Sequence, residues 1–201
     1  MVTGAGAAIN AARVGVGQDV VVIGCGGVGL NTVQGARLAG ARRIIAIDLQ
    51  PAKLELAKKF GATHTINSGG VDDVVAAVQE ITGTSGVHAS FEVIGLKATA
   101  ELAVRVLGVG GTAYLVGMQR VGTVLDIEPI SELMPFQRSI EGVMMGSTNF
   151  KRDVPMFADY YLQGRFNLDD LVSQTITLDE INEGYEELLK GAIARSVIVF
   201  D

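Results

Sequence analysis

The chain has 201 residues, 48% apolar and 19% charged, with a formal net charge of −6. That balance excludes a disordered chain and argues against a nucleic-acid binder, which needs a basic face to track phosphates. A single cysteine excludes an intrachain disulfide or a multi-cysteine zinc site, and with no apolar run of ~18 residues and no leader-like opening a soluble, cytoplasmic, membrane-free protein is expected.

Glycine is abundant at 26 residues and proline rare at 4, as in a packed α/β protein with tight turns. Thr3 to Arg13 reads as a small-residue helix, broken by Gly15 to Asp19. Val20 to Ile23 is a continuous β-branched run, the pattern of a strand buried on both faces. A glycine-rich turn, Gly24 to Gly29, leads into a helix to about Ala39, with Gly40 as its C-cap. Ile44 to Ile47 is a second buried strand ending at Asp48. A helix follows from Pro51 through Phe60, stopped by Gly61. The alternation continues with strands at Thr63–Ile66, Val87–Ile94 and Thr112–Val116, and helices at Val71–Ile81 and Ala98–Leu107. A short helix at Ile130–Phe136 and a strand at Ser139–Met145 complete it. Strands alternating with helices predict a doubly wound parallel α/β sheet of the Rossmann type.

The last fifty residues depart from this alternation. Helices are expected at Val154–Leu162 and Asp179–Lys190, with strands at Val172–Ile176 and Ala194–Phe200. Ile181, Tyr185, Leu188 and Leu189 form one apolar stripe. The expected division is the doubly wound domain over 1–150, whose ligand the next motif indicates to be a dinucleotide, and a C-terminal segment over 151–201.

Gly24-Cys25-Gly26-Gly27-Val28-Gly29 is a GxGxxG element placed between a strand and a helix. In that setting Gly24 permits the sharp turn, Gly26 lets backbone approach a pyrophosphate, and Gly29 lets helix and sheet pack closely. The helix start presents N–H groups and the positive end of its dipole to phosphate. Asp48 stands at the end of the next strand, near the ~20-residue spacing of a carboxylate that accepts ribose hydroxyls. It would repel a 2′-phosphate, which favours NAD over NADP. The bland alternative is a strand-end Asp that caps the following helix. Lys53 could reach the same ribose.

These segments, with Phe60-Gly61-Ala62-Thr63, Ile66-Asn67, Phe91-Glu92-Val93-Ile94-Gly95, Glu180-Ile181-Asn182-Glu183-Gly184 and Arg195-Ser196-Val197-Ile198-Val199-Phe200, occur in one order. In that order the chain resembles the zinc-containing medium-chain alcohol dehydrogenases from Thr3 to Phe200, most of all the branch with the glutathione-dependent formaldehyde dehydrogenases. The resemblance implies that Gly24, Gly26, Gly27, Val28 and Gly29 hold the pyrophosphate and that Asp48 and Lys53 hold the adenosine ribose. It places Val93 and Ile94 along adenine and ribose. It puts the backbone of Val116, Val143 and Met145 at the nicotinamide carboxamide, Thr3 behind the nicotinamide ring, and Arg195 on the pyrophosphate. It also implies NAD as cofactor, a small alcohol or aldehyde as substrate in the whole enzyme, and dimers or higher assemblies paired through Ser139–Met145.

The departures are informative. The resemblance implies a preceding catalytic domain carrying zinc ligands and substrate pocket, with a ligand cysteine two positions before Met1. The chain is therefore expected to be part of a longer enzyme, to hold no metal ligands and no catalytic residue of its own, and to be inactive alone. Leu96 stands where some members carry an arginine against the adenine. His64 and His88 read as structural or exposed, and Asp72-Asp73 as a helix cap. Phe150, Phe157, Tyr160 and Tyr161 read as core, and Glu183, Glu186 and Glu187 as a solvated face. Cys25 reads as a small packer whose pKa a helix N-terminus would lower if it were exposed. Glu92, inside a strand, reads as partly buried and not catalytic. Two other readings remain: a stand-alone nucleotide-binding module without catalysis, and a methyltransferase or other doubly wound enzyme, which would not explain the tail.

Overall fold

The computed structural model describes residues 1–83, 86–190 and 195–200, with the side chains of 188–190 outside that description. Its centre is a parallel six-stranded sheet of strands β1 (Asp19–Ile23), β2 (Arg43–Asp48), β3 (His64–Asn67), β4 (Val87–Glu92), β5 (Leu107–Leu115) and β6 (Ser139–Gly142), in the order β3-β2-β1-β4-β5-β6. This is the doubly wound Rossmann arrangement, with its strand order reversing between β1 and β4. Helices α2 (Gly27–Ala39), α3 (Pro51–Phe60), α4 (Val74–Thr82) and α5 (Lys97–Arg105) connect the strands.

The strands alternate faces and so build two cores. Val20, Val22, Ala46 and Phe91 pack with Leu30, Val33 and Phe60 on one side. Val21, Ile23, Ile45 and Ile47 pack with Val78, Val104 and Leu107 on the other. All five residues of β1 are buried, as a central parallel strand requires. Helix ends follow local chemistry. Asp73 Oδ1 accepts from the N–H groups of Val75 and Ala76 at 2.8 and 3.0 Å and so starts α4. Gly40 and Gly61 close α2 and α3 in the left-handed conformation.

Several expectations need correction. The opening helix is α1 (Val2–Gly6) followed by a π-helical turn, Ala7–Ala11. It lies so close to its neighbours that a Cβ on Gly6 would stand 2.5 Å from the Gly146 carbonyl. β5 begins at Leu107 rather than Thr112. Leu107 is buried and pairs with Val87, and a register irregularity then absorbs the glycines before Thr112 pairs with Ala89. β4 ends at Glu92 and β6 at Gly142, short of Ile94 and Met145. Met145, Gly146 and Ser147 take φ of 51°, 68° and 49°, which no strand can accommodate.

The tail contains α6 (Phe150–Leu162), α7 (Ile181–Lys190) and a separate two-stranded parallel sheet, β7 (Gln174–Ile176) and β8 (Ser196–Ile198). α6 starts four residues before the expected Val154, and Phe150 is half exposed rather than core. Phe157 and Phe166 bury against Ala5. Asp153, fully buried, accepts from Asn10 Nδ2 and from the Asn149 N–H, both at 2.9 Å, and pairs with Arg152. Gln34 and Asn167 exchange two hydrogen bonds at 2.9 and 2.6 Å. Residues 150–171 are thereby stitched to α1 and α2. Ala194, the expected start of the last strand, and the side chains of Leu188 and Leu189 lie outside the described residues.

Candidate functional site

The C-terminal ends of β1, β2, β4 and β5 meet at the reversal of strand order, where an open α/β sheet forms a crevice. The turn after β1 is the glycine element. Gly24 has φ of 103°, a conformation that side chains rarely adopt, and its N–H donates to the Ile47 carbonyl at 2.8 Å. A Cβ on Gly29 would stand 1.8 Å from the Gly24 carbonyl, so only glycine lets α2 start this close to the turn. A Cβ on Gly26 would meet nothing within 4 Å, so that face of the turn opens outward. Gly27 and Val28 begin α2, and its first-turn N–H groups have no partners within the helix. The geometry is that of an anion cradle.

Asp48 borders the cradle. Its Oδ2 accepts the Cys25 N–H at 2.8 Å and its Oδ1 accepts the Gln50 N–H at 3.0 Å. The carboxylate thus joins the end of β2 to the glycine turn and also orders the entry to α3. Each oxygen keeps a further lone pair for a hydroxyl donor. Lys53, in the first turn of α3, is near enough for its charge to act on the Cys25 thiol. That thiol is buried and pushed up to about 12, first by burial and then by the Asp48 carboxylate, with Lys53 opposing. Cys25 is a packing residue, and the lowering expected at an exposed helix N-terminus does not arise.

The other wall comes from the turn after β4. Ile94 packs over Gly24 and Val93 over Gly29. Ile94 is 45% exposed, facing the crevice mouth. Leu96 is exposed beside it. At the far side, Val116 donates to the Glu92 carbonyl and Val143 to the Leu115 carbonyl, both at 2.9 Å. The register pairing Leu115 with Gly142 sets those two residues next to each other beyond the strands. Met145, half exposed, stands in the left-handed turn rather than in β6. Thr3 lies in α1, whose Gly4 touches the Val28 carbonyl and whose Thr3 carbonyl lies against Gly146.

The structure therefore gathers Gly24, Gly26, Gly27, Val28, Gly29, Asp48, Val93, Ile94, Val116 and Val143 around one crevice, with Thr3, Lys53 and Met145 on flanking elements. Arg195 stands apart. It is exposed beside a cavity of about 300 Å³ in the tail, lined also by Ile176, Ile181, Gly184 and Tyr185. Its backbone exchanges hydrogen bonds with Ser173. Glu92 is fully buried, more than its sequence setting suggests. The signal for it was a carboxylate at a strand end three residues before a glycine turn. His64 and His88 are exposed; His88 Nδ1 accepts the Asp19 N–H at 3.1 Å. Among the described residues no group of three or more His, Cys, Asp or Glu could hold a metal ion, and no helix is long and apolar enough to cross a membrane.

A family model described as zinc-binding dehydrogenase matches residues 27–159. The chain is 35% identical, over 98% of its length, to alcohol dehydrogenase class-3 of Cereibacter sphaeroides, covering 54% of that protein. Among solved structures, benzyl alcohol dehydrogenase from Acinetobacter calcoaceticus superposes with a TM-score of 0.94 at 38% identity, over 99% of this chain and 54% of the other. A zinc-binding dehydrogenase from Sinorhizobium meliloti 1021, solved bound to NADP, superposes with a TM-score of 0.81 at 27% identity, over 100% of this chain and 55% of the other. The chain spans about half the length of the curated relatives it matches.

Proposed function

Because this chain belongs to the zinc-containing medium-chain alcohol dehydrogenase family, we propose that its crevice binds NAD(H) and presents the nicotinamide for hydride transfer with a small alcohol or aldehyde. The observation that carries this reading is the outward-opening Gly26 cradle bordered by the Asp48 carboxylate. The pyrophosphate would sit on the N–H groups of Gly26, Gly27, Val28 and Gly29, with the adenosine ribose on Asp48 and Lys53. Val93 and Ile94 would lie along adenine and ribose, and Val116, Val143 and Met145 at the carboxamide. Thr3 would back the ring. Arg195 would reach the pyrophosphate from the tail. On this reading residues 1–150 form the dinucleotide-binding domain, and 151–201 are the C-terminal segment that packs on the catalytic domain in the family.

NAD is favoured over NADP because Asp48 would repel a 2′-phosphate. The described residues do not fit the family's zinc. Cys25 is buried with its thiol protonated, and Thr63 Oγ1 and the Asp19 N–H engage His64 and His88. No step is therefore routed through a metal on these residues. The reading extends to a cytoplasmic protein that pairs with a second copy through β6, whose four residues are all exposed at the sheet edge.

Calorimetric titration with NAD and NADP tests the reading. Tighter binding of NAD is expected. Asp48→Asn, which keeps an acceptor but removes the charge, should reduce the preference by about tenfold, the scale of one charge-assisted hydrogen bond. Failure of the chain to bind either dinucleotide would overturn it.

A further inference from the structure

Glu92 is fully buried at the C-terminal end of β4, and its side chain does not reach solvent. Its Oε1 accepts from the N–H groups of Ile94 and Gly95 at 2.9 and 2.8 Å, and from Thr99 Oγ1 at 2.8 Å. These three donors fold the turn after β4 back on itself and tie it to the first turn of α5. The backbone carbonyl of the same residue accepts from both Val116 and Gly117, each at 2.9 Å. One residue thus holds the turn after β4 with its side chain and the turn after β5 with its main chain.

The two turns are also pressed together. A Cβ on Gly117 would stand 2.3 Å from the Gly95 nitrogen and 2.7 Å from Glu92 Oε2, and a Cβ on Gly95 would stand 2.4 Å from the Met118 carbonyl. Oε2 has no hydrogen-bond partner among the described residues. A buried carboxylate with one oxygen unpaired is costly. An apolar residue would fill the space without that cost, but it could not gather three donors. The turn so gathered carries Val93 and Ile94, which pack on Gly29 and Gly24 across the crevice.

From this we infer that Glu92 is a positioning residue for the coenzyme, holding the turns after β4 and β5 as one body and through Val93 and Ile94 setting the glycine turn after β1. The inference rests on the dinucleotide reading above for its binding consequence, whereas the coupling of the turns is a property of the apo chain. A sub-ångström loosening of such a constellation has an outsized effect, because complementarity is lost at several contacts together.

The test compares the 201-residue chain with its Glu92→Ala, Glu92→Gln and control Ser90→Ala variants. Ser90 lies on the same strand and loses one buried hydrogen bond, to the Ala103 carbonyl. Binding is read from NADH fluorescence and backbone order from amide hydrogen exchange. Glu92→Ala is expected to weaken NADH by about tenfold to a hundredfold. It should also deprotect the amides of Ile94, Gly95, Val116 and Gly117 together. Glu92→Gln, which keeps an acceptor for the three donors, should recover most of the loss, and Ser90→Ala should leave affinity unchanged even where it lowers the melting temperature. Unchanged NADH affinity in Glu92→Ala, an equal loss in Ser90→Ala, no recovery in Glu92→Gln, or deprotection confined to residues 94–95 would overturn the inference. If the wild-type chain does not bind NADH, the dinucleotide reading fails instead, and exchange at 116–117 still decides whether Glu92 couples the turns.

Discussion

The two ends of the central sheet hold their carboxylates in opposite ways. At the N-terminal end Asp19 is buried and meets cations: Arg42 Nε and Nη2 at 3.0 and 2.6 Å, and Arg43 Nη1 at 3.0 Å. At the C-terminal end Asp48 and Glu92 accept from backbone N–H groups, four between them, with the Thr99 hydroxyl also on Glu92 and no salt bridge to either among the described residues. An ion pair fastens side chains to each other and leaves little free for a ligand. A carboxylate that accepts main-chain donors shapes the turn itself. The difference teaches which end is a clamp and which is a mould, and it does so without reference to any bound molecule.

The sharpest way to break that contrast is within the glycine turn. Gly29→Ala places a Cβ against the Gly24 carbonyl. It should cost about 3 kcal/mol or more, as other large backbone clashes do, seen in urea unfolding. Gly26→Ala places its Cβ in open space, on an extended residue at φ −77°. It should cost about 0.5 kcal/mol as an N-cap change, while calorimetry should show NADH binding lost. If both variants lost stability equally, the open face would not be a ligand cradle.

The next effect lies at the clamp. Asp19→Ala should cost about 2 kcal/mol, less than for a fully buried pair because Arg42 is 54% exposed. NADH affinity should not move. Burial alone would raise the Asp19 pKa, but hydrogen bonds and charge from Arg42 and Arg43 prevail and hold it below the ordinary value. A depressed carboxylate stabilises above its unfolded pKa of about 3.9 and loses that contribution as pH falls through the lower folded value. The stability gap between wild type and Asp19→Ala should therefore be constant from neutral pH into the mildly acidic range and close only below it. A gap that closed near pH 6 would contradict the clamp.

The smallest effect concerns Cys25, inside the mould. With the thiol pushed up to about 12 and its side chain buried, native labelling by iodoacetamide at pH 8 should be negligible and should appear only on unfolding in urea. Rapid native labelling would mean that the glycine turn opens.

Much of this was legible in the residues. Val20–Ile23 and Ile44–Ile47 are unbroken β-branched runs, and only a strand covered on both faces wants that pattern. The glycine turn was legible because its neighbours on either side are unambiguous. What escaped depends on contacts far along the chain. Leu107 reads equally well as the end of a helix, and only its pairing with Val87 makes it a strand residue. Met145 carries no sign of a left-handed backbone; the turn becomes visible only with α1 packed against Gly146. Glu92 looks like a strand residue facing a crevice, and its role becomes visible only when the turns after β4 and β5 are both in place. Asp48 does not cap α3, whose N-cap is Gln50 without a side-chain bond; it accepts the Gln50 N–H instead and keeps lone pairs for the ribose role proposed above.

The seating of α1 has a consequence for the order of folding. Besides α2, residues 2–6 contact Gly146, Thr148 Oγ1 on the Val2 carbonyl at 3.3 Å, and Phe157 and Phe166 around Ala5. Contacts so distant along the chain carry a large loop-closure cost before they repay it. The last turns of the seat therefore close late, after the sheet that carries Gly146 is in place.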